Sequence, residues 1–182
     1  MIFFTADTHF GHAGILKHIP ARAAMFSNVD EMDDALIEQC NQTVQSRDEL
    51  WLLGDFAWKA SKYGHYRQRL RVRKLHVVMG NHDSTSLRAH VSSLKEMEYR
   101  RFGTQKFHLT HYPMASWRGR ESAKSIHLYG HSHGTIETHL DRCFPGRRSM
   151  DVGVDNAYQF FGIWRPFSID EIIEILNSKG SG

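Results

Sequence analysis

Ile2-Phe3-Phe4-Thr5-Ala6-Asp7-Thr8-His9 is the stretch from which the fold is read. Ile2 to Ala6 has no polar face, as expected of a strand buried on both sides in a parallel sheet. The run stops at Asp7, and two metal-ligating side chains, Asp7 and His9, follow at the stop. The pattern then repeats. Glu49-Leu50-Trp51-Leu52-Leu53 stops at Gly54-Asp55, and Leu75-His76-Val77-Val78-Met79 stops at Gly80-Asn81-His82-Asp83. Loops beyond the carboxyl ends of such strands gather on one edge of an open sheet, where ligands bind.

Helical stretches separate these runs. Asn28 followed by Glu31 resembles an N-cap with its reciprocal acid, and Met32, Leu36, Cys40 and Val44 fall on one helical face. A second helix is expected through Tyr63 to Leu70. In the second half, Glu98–Phe102, Phe107–Thr110, Ser125–Tyr129 and Thr135–His139 read as strands with little helix between them, which favours a more antiparallel sheet. Ser149–Val154 and Arg165–Ser168 are candidates for two more. Ser168 with Glu171 is a capping box for a last helix over Ile169–Leu176. The order fits an α/β fold, a four-layer α-β-β-α sandwich of two mixed β-sheets flanked by helices. Residues 1–179 are expected to form one domain, with Gly180-Ser181-Gly182 a flexible tail.

Composition narrows the function classes. The chain has 182 residues, a formal charge of +3, two cysteines and thirteen histidines. It carries no apolar stretch of about 18 residues, and its start lacks the basic segment of a signal peptide. Cys40 and Cys143 are too few for a disulfide framework and are expected to be reduced, which suits a cytoplasmic protein. The densest basic run, Arg67, Arg69, Arg71, Arg73 and Lys74, suits a solvated helix face better than a nucleic-acid footprint. Histidine is the oddity. Five of the thirteen sit in Asp7-Thr8-His9, Gly80-Asn81-His82-Asp83, His111 and Gly130-His131-Ser132-His133. With Asp55 these segments supply oxygen and nitrogen donors suited to a pair of divalent transition metals. Glycines before Asp55 and Asn81 permit sharp exits from the strands.

Asp-x-His, Gly-Asp, Gly-Asn-His-Asp, a lone His and Gly-His-x-His, in that order over residues 7–133, resemble the calcineurin-like metallophosphoesterases. Thr5-Ala6-Asp7-Thr8-His9-Phe10-Gly11-His12 and His111-Tyr112-Pro113-Met114 are similar to the compact single-domain microbial and phage members in particular. The resemblance implies one metal held by Asp7, His9, Asp55 and His133. It implies a second held by Asp55, Asn81, His111 and His131, with Asp55 bridging. His82 would face the scissile phosphate as general acid, and Asp83 would orient its imidazole. Mn2+ is the first choice of metal, with Fe, Zn2+ or Ni2+ as alternatives. His12 is expected to support a ligand or the substrate. Trp117 and Arg118 are candidates for substrate contact, whereas Arg120 is expected in a solvated loop. Asp151, Asp155 and Asn156 read as a turn. His18, His65, His76, His90, His108, His127 and His139 are expected to be surface or structural.

The activity so implied is two-metal hydrolysis of phosphate esters, in which a metal-activated hydroxide attacks in line and His82 assists the leaving oxygen. With no cap domain evident, an open cleft and a phosphodiesterase acting on nucleotide-like diesters are favoured. Phosphomonoesterase activity is the alternative, and a metal-dependent nuclease is less favoured. A metal-free binding scaffold is disfavoured because every ligand position is filled. A small phosphate ester is the expected partner, with no membrane.

Overall fold

Nine strands carry the fold in the computed structural model, which describes residues 1–179: β1 Ile2–Thr5, β2 Glu49–Leu52, β3 Lys74–Val78, β4 Ser93–Lys95, β5 Glu98–Phe102, β6 Gln105–Leu109, β7 Ser125–Tyr129, β8 Ser149–Asp151 and β9 Phe167–Ser168. The helices are α1 Ile15–His18, α2 Pro20–Met25, α3 Val29–Thr43, α4 Tyr63–Arg69, α5 Glu137–Cys143, α6 Val154–Phe161 and α7 Ile169–Lys179. The first sheet has the order β4-β3-β2-β1-β9 and the second β5-β6-β7-β8. In the first, β1 to β4 are parallel and β9 runs against β1. In the second, β5 and β6 form a hairpin, while β6, β7 and β8 are parallel.

The continuous apolar runs are explained by two cores on opposite faces of the first sheet. Phe3, Leu50, Leu52, Leu75 and Val77 pack under the helices with Met32, Leu36 and Tyr63. Their alternates Phe4, Trp51, Leu53 and Val78 pack against Phe107, Leu109, Ile126 and Leu128 of the second sheet. Successive strand residues point to opposite faces, so a strand buried on both has no polar alternation. Two mixed sheets face each other with helices outside, as the sequence implies. Among the described residues no helix is long and apolar enough to cross a membrane.

The capping signals read from the sequence are present. Asn28 Oδ1 accepts from Glu31 N at 2.9 Å, although Glu31 returns to Ser27 N rather than to Asn28 N. Around Ser168 the box is reciprocal: Glu171 N donates to Ser168 Oγ at 3.2 Å and Ser168 N to Glu171 Oε2 at 2.8 Å. In the basic run, Arg67 donates to the carbonyls of Leu70, Val72 and Arg73, and Arg69 pairs with Asp34.

Two expectations need correction. Thr135–His139 is no strand: it is a turn that leads into α5. Its alternation over so few residues does not distinguish a strand from the first turn of a helix. The second sheet is also more parallel than expected, with one antiparallel pair, because the chain crosses over between β6 and β7 and through α5 between β7 and β8. Arg165–Ser168 contains the short β9, and Ser149–Val154 contains β8 and the start of α6. The expected tail at 180–182 lies outside the described residues.

Candidate metal centre

The parallel strands of both sheets deliver their carboxyl ends to one edge, and backbone bonds stitch the exits together. Asp7 N donates to Gly54 O at 3.0 Å, His9 N to Asp55 O at 2.9 Å and Gly130 N to His111 O at 3.0 Å. His131 N donates to Asp7 Oδ2 at 2.9 Å, and His82 N to Asp55 Oδ1 at 2.9 Å. Approach this close requires glycine. A Cβ on Gly80 would fall 2.2 Å from Asp55 Oδ1, and one on Gly130 would fall 2.6 Å from Asp7 Oδ2.

Five non-glycine residues among those described have positive φ: Asp7 (58°), His9 (50°), Asp55 (58°), His131 (66°) and His133 (51°). All five are expected metal ligands. Left-handed backbone costs on the order of 1–2 kcal/mol per residue. Its confinement to one edge shows where the fold concentrates strain, a recurrent property of functional sites.

The donor atoms converge in two groups joined by Asp55. Those of Asp7, His9 and His133 lie within 4.8 Å of one another, as do those of Asp55, His111 and His131. Asp55 Oδ2 is 3.5 Å from both His9 Nε2 and His111 Nε2, a position from which one carboxylate reaches both groups. His111 Nδ1 donates to Leu53 O at 2.8 Å, which leaves Nε2 unprotonated in the neutral ring. That lone pair lies 3.0 Å from Asn81 Oδ1, another acceptor. Two acceptors so placed repel each other, and a cation beside both removes the repulsion. Asp7 Oδ1 and His9 Nε2 are buried without a hydrogen-bond partner. Buried polar atoms rarely stay unpaired, so this edge fits a pair of cations on its own geometry.

The electrostatics agree. Burial, then the nearby Asp151 and Asp55, pushes the Asp7 carboxyl well above its usual range. Burial pulls His9 down to about 2, with His133 and Arg22 adding to it, and burial also lowers His111 and His131. The imidazoles are therefore neutral, the form that binds metal.

Arg22, which the sequence did not single out, and Asp155, which it placed in a turn, hold these ligands. Asp155 Oδ2 accepts from His133 Nδ1 at 2.6 Å, so that Nε2 is presented to the cluster. Such a carboxylate fixes both the tautomer and the direction of a ligating histidine. Arg22, fully buried, donates to Asp155 through Nε at 2.7 Å and Nη2 at 2.6 Å, and to Asp7 O at 2.7 Å. Burial alone would push Asp155 up, but Arg22 and the His133 hydrogen bond outweigh it and hold the carboxyl below the usual range. The expected turn at Asp151, Asp155 and Asn156 is thus the junction of β8 and α6. Asp151 there accepts from Ser132 Oγ at 2.5 Å and Gly134 N at 3.0 Å. On the other side, Asp33 accepts from Gly11 N at 2.9 Å and Tyr66 Oη at 2.7 Å, bracing the turn that carries His12.

Other expected residues fall differently. His82 lines the cleft, its ring 5.2 Å from that of His9. His12 Nδ1 lies 3.5 Å from His9 Nδ1 and its ring faces the same cleft. Asp83 takes other partners than the His82 ring: Asp55 N at 2.8 Å, Gly80 N at 2.9 Å and Phe56 N at 3.0 Å. The exits of β2 and β3 turn these amides inward beyond the last ladder bond, and one carboxylate satisfies all three. Trp117 and Arg118 are not at the site. Trp117 is buried 5.1 Å from the ring of His127 on the outward face of β7, and Arg118 is exposed beside His108. His127 is structural as expected, held between Thr110 Oγ1 and Ser149 Oγ. The ligand edge opens into a cleft of about 400 Å3, to which Trp58 and Ile19 also contribute.

A Methanocaldococcus jannaschii protein described as uncharacterized, MJ1445, is 32% identical over 180 residues, 96% of this chain and 90% of that one. The crystal structure of AQ665 from Aquifex aeolicus, titled a protein of unknown function, has a TM-score of 0.75. It is 21% identical, with 96% of this chain and 98% of that one covered. Likeness to YfcE, a phosphoesterase from E. coli, is weaker, with a TM-score of 0.41, 16% identity, and 72% and 69% coverage. The sequence profile of the calcineurin-like phosphoesterase superfamily domain matches residues 1–144, the span that contains all five ligand segments, and the chain belongs to that superfamily.

Proposed function

We propose that the chain is a metal-dependent hydrolase of phosphate esters, acting on nucleotide-like diesters. The observation that carries this reading is the pair of buried, unpartnered donor atoms, Asp7 Oδ1 and His9 Nε2, on a strained backbone edge. Asp7, His9, Asp55 and His133 would hold one ion, and Asp55, Asn81, His111 and His131 the other. The chemistry such ions supply is a water acidic enough to ionise near neutral pH and positive charge opposite the phosphoryl oxygens.

The residues of the chain do the rest. Asp155 and the Leu53 carbonyl keep the ligand nitrogens of His133 and His111 unprotonated and aimed inward. Asp83 ties the exits of β2 and β3 together, so that His82 is placed through its neighbour's contacts with backbone. His82, at the cleft wall, is positioned to give a proton to the leaving oxygen. Mixed nitrogen and oxygen donors favour Mn2+, Fe or Zn2+ over Ca2+. The open cleft supports a diester over a monoester, since among the described residues no segment closes over the space for a second substituent on phosphorus. The free thiols of Cys40 and Cys143 suit a cytoplasmic setting.

Metal analysis together with a panel of bis-p-nitrophenyl phosphate, p-nitrophenyl phosphate and 2′,3′-cyclic nucleotides, with added Mn2+, tests the proposal. Two bound ions and a preference for diesters are expected. Preference for the monoester would overturn the diesterase assignment, and a metal-free, inactive protein would overturn the whole.

A further inference from the structure

The cleft has two unlike walls. One is polar and consists of the ligand side chains His9, Asp55, Asn81, His131 and His133. The other carries Ile15, Ile19 and Trp58, with His12 and His18 beside them. The Trp58 backbone is held from below: its main-chain N–H donates to Phe10 O at 2.9 Å, beside the bridge between Phe10 and Ala57. Its indole lies flat on the His12 imidazole, with ring centroids 4.0 Å apart and planes 8° apart. Yet Trp58 keeps 44% of its surface in solvent. A large aromatic group that is rigid at one face and wet elsewhere is suited to stacking a planar ligand, and gains nothing for the fold from its exposed part.

His82 stands between the walls. Its ring is 5.2 Å from His9 on the polar side and 5.2 Å from Trp58 on the apolar side. A phosphoryl group on the polar wall therefore puts the ester oxygen nearest His82 on the side of Trp58, and the group attached to that oxygen follows it.

On the phosphoesterase reading above, the geometry points to Trp58, with Ile15 and Ile19, as the subsite for the leaving group, and to a leaving group that carries a planar aromatic ring. An alkyl alcohol would bury some area there, but only a flat π system gains the stacking contact that indole offers.

Two diesters that differ only in the leaving group test this: methyl phenyl phosphate and methyl 2,2,2-trifluoroethyl phosphate, each assayed with the Mn2+-loaded enzyme. Trp58→Ala should lower kcat/KM about tenfold or more on the phenyl ester, within the range reported for aromatic stacking, mainly by raising KM. The trifluoroethyl ester should change less than twofold, and Trp58→Phe should restore most of the phenyl activity. Each ester is compared with itself across variants, so leaving-group basicity cancels. Equal losses on both esters would overturn the subsite and leave Trp58 a prop for His12 and His82. An unchanged phenyl rate would overturn it as well. Failure of the parent enzyme on both esters while it hydrolyses bis-p-nitrophenyl phosphate would overturn the subsite alone, and failure on all three would overturn the phosphoesterase reading and the subsite with it.

Discussion

Replacing Arg22 by methionine is the sharpest test of how the ligand edge is held. Arg22 is fully buried and spends its guanidinium on both oxygens of Asp155 and on the carbonyls of Asp7 and Thr8. Methionine fills most of the volume but leaves the Asp155 carboxylate buried with only His133 as partner. Removing one member of a buried ion pair costs about 3–5 kcal/mol, because the other charge stays behind uncompensated. The freed Asp7 carbonyl adds to this, and proton uptake by Asp155 offsets part of it, so the range stands. For a chain of this size about 1 kcal/mol moves Tm by roughly 2–4 °C. Arg22→Met should therefore melt ~6–20 °C below the parent at pH 7, followed by circular dichroism in chelator. Arg22→Met with Asp155→Leu should recover much of that loss, since an apolar replacement for a buried pair is often neutral. Metal affinity should stay weakened by about 10–100-fold, because His133 has lost the carboxylate that aims it. A single variant melting within about 2 °C of the parent, or a double variant showing the sum of two separate losses, would refute the account.

Asp33 makes stability depend on pH. Burial raises its carboxyl from 3.8 to about 6, against the lowering effect of its hydrogen bonds to Tyr66 and Gly11. The folded state thus takes up this proton before the unfolded state does. Stability gained by protonating Asp33 is absent above about pH 6, grows as pH falls through 6, and is complete below the unfolded value near 4. Asp33→Asn should remove this dependence, so the parent should gain on the order of 2–3 kcal/mol relative to the variant between pH 7 and pH 4 in denaturant titrations; a constant difference would refute it. His82→Ala should lower turnover on a diester with a poor leaving group by about 10²–10⁴-fold while both metals remain by elemental analysis; parent-like turnover would remove the general-acid role. Asp55→Asn should lose both ions together under mild chelation, because Asp55 Oδ2 reaches both donor groups; retention of either ion at parental affinity would show that Asp55 does not bridge.

What was legible in the sequence was what is local. Strand and ligand are adjacent in the chain at Asp7, with a glycine between them at Asp55 and Asn81, and a strand buried on both faces shows its nature in a few residues. The expected ligands accordingly all arrive at one edge. The supports were not legible, because they act across the chain: Arg22 and Asp155 are 133 residues apart, and nothing near either marks the other. The nearest signal was that a ligating histidine needs a carboxylate or carbonyl at its second nitrogen, which would have turned attention to Asp155. Proximity in sequence also misled. Trp117 and Arg118 follow His111 by few residues, yet the crossover from β6 to β7 carries them to the outer face of the second sheet. Asp83, next to His82, serves the backbone of another strand's exit instead. Trp58, three residues beyond Asp55, went unread because a lone aromatic after a strand has no pattern to mark it.

The left-handed residues set stability and activity against each other under selection. His131 shows this most simply, for the residue is exposed and its φ is 66°. Glycine there would relieve backbone strain at the cost of the ring contacts with His111 and Tyr112. Left to a screen for heat resistance alone, the chain would drift toward glycine at such positions and become a sturdier scaffold with an emptied edge. Histidine and aspartate at all five of these positions therefore place strain where the fold alone would favour glycine, on the same edge where the donor atoms converge.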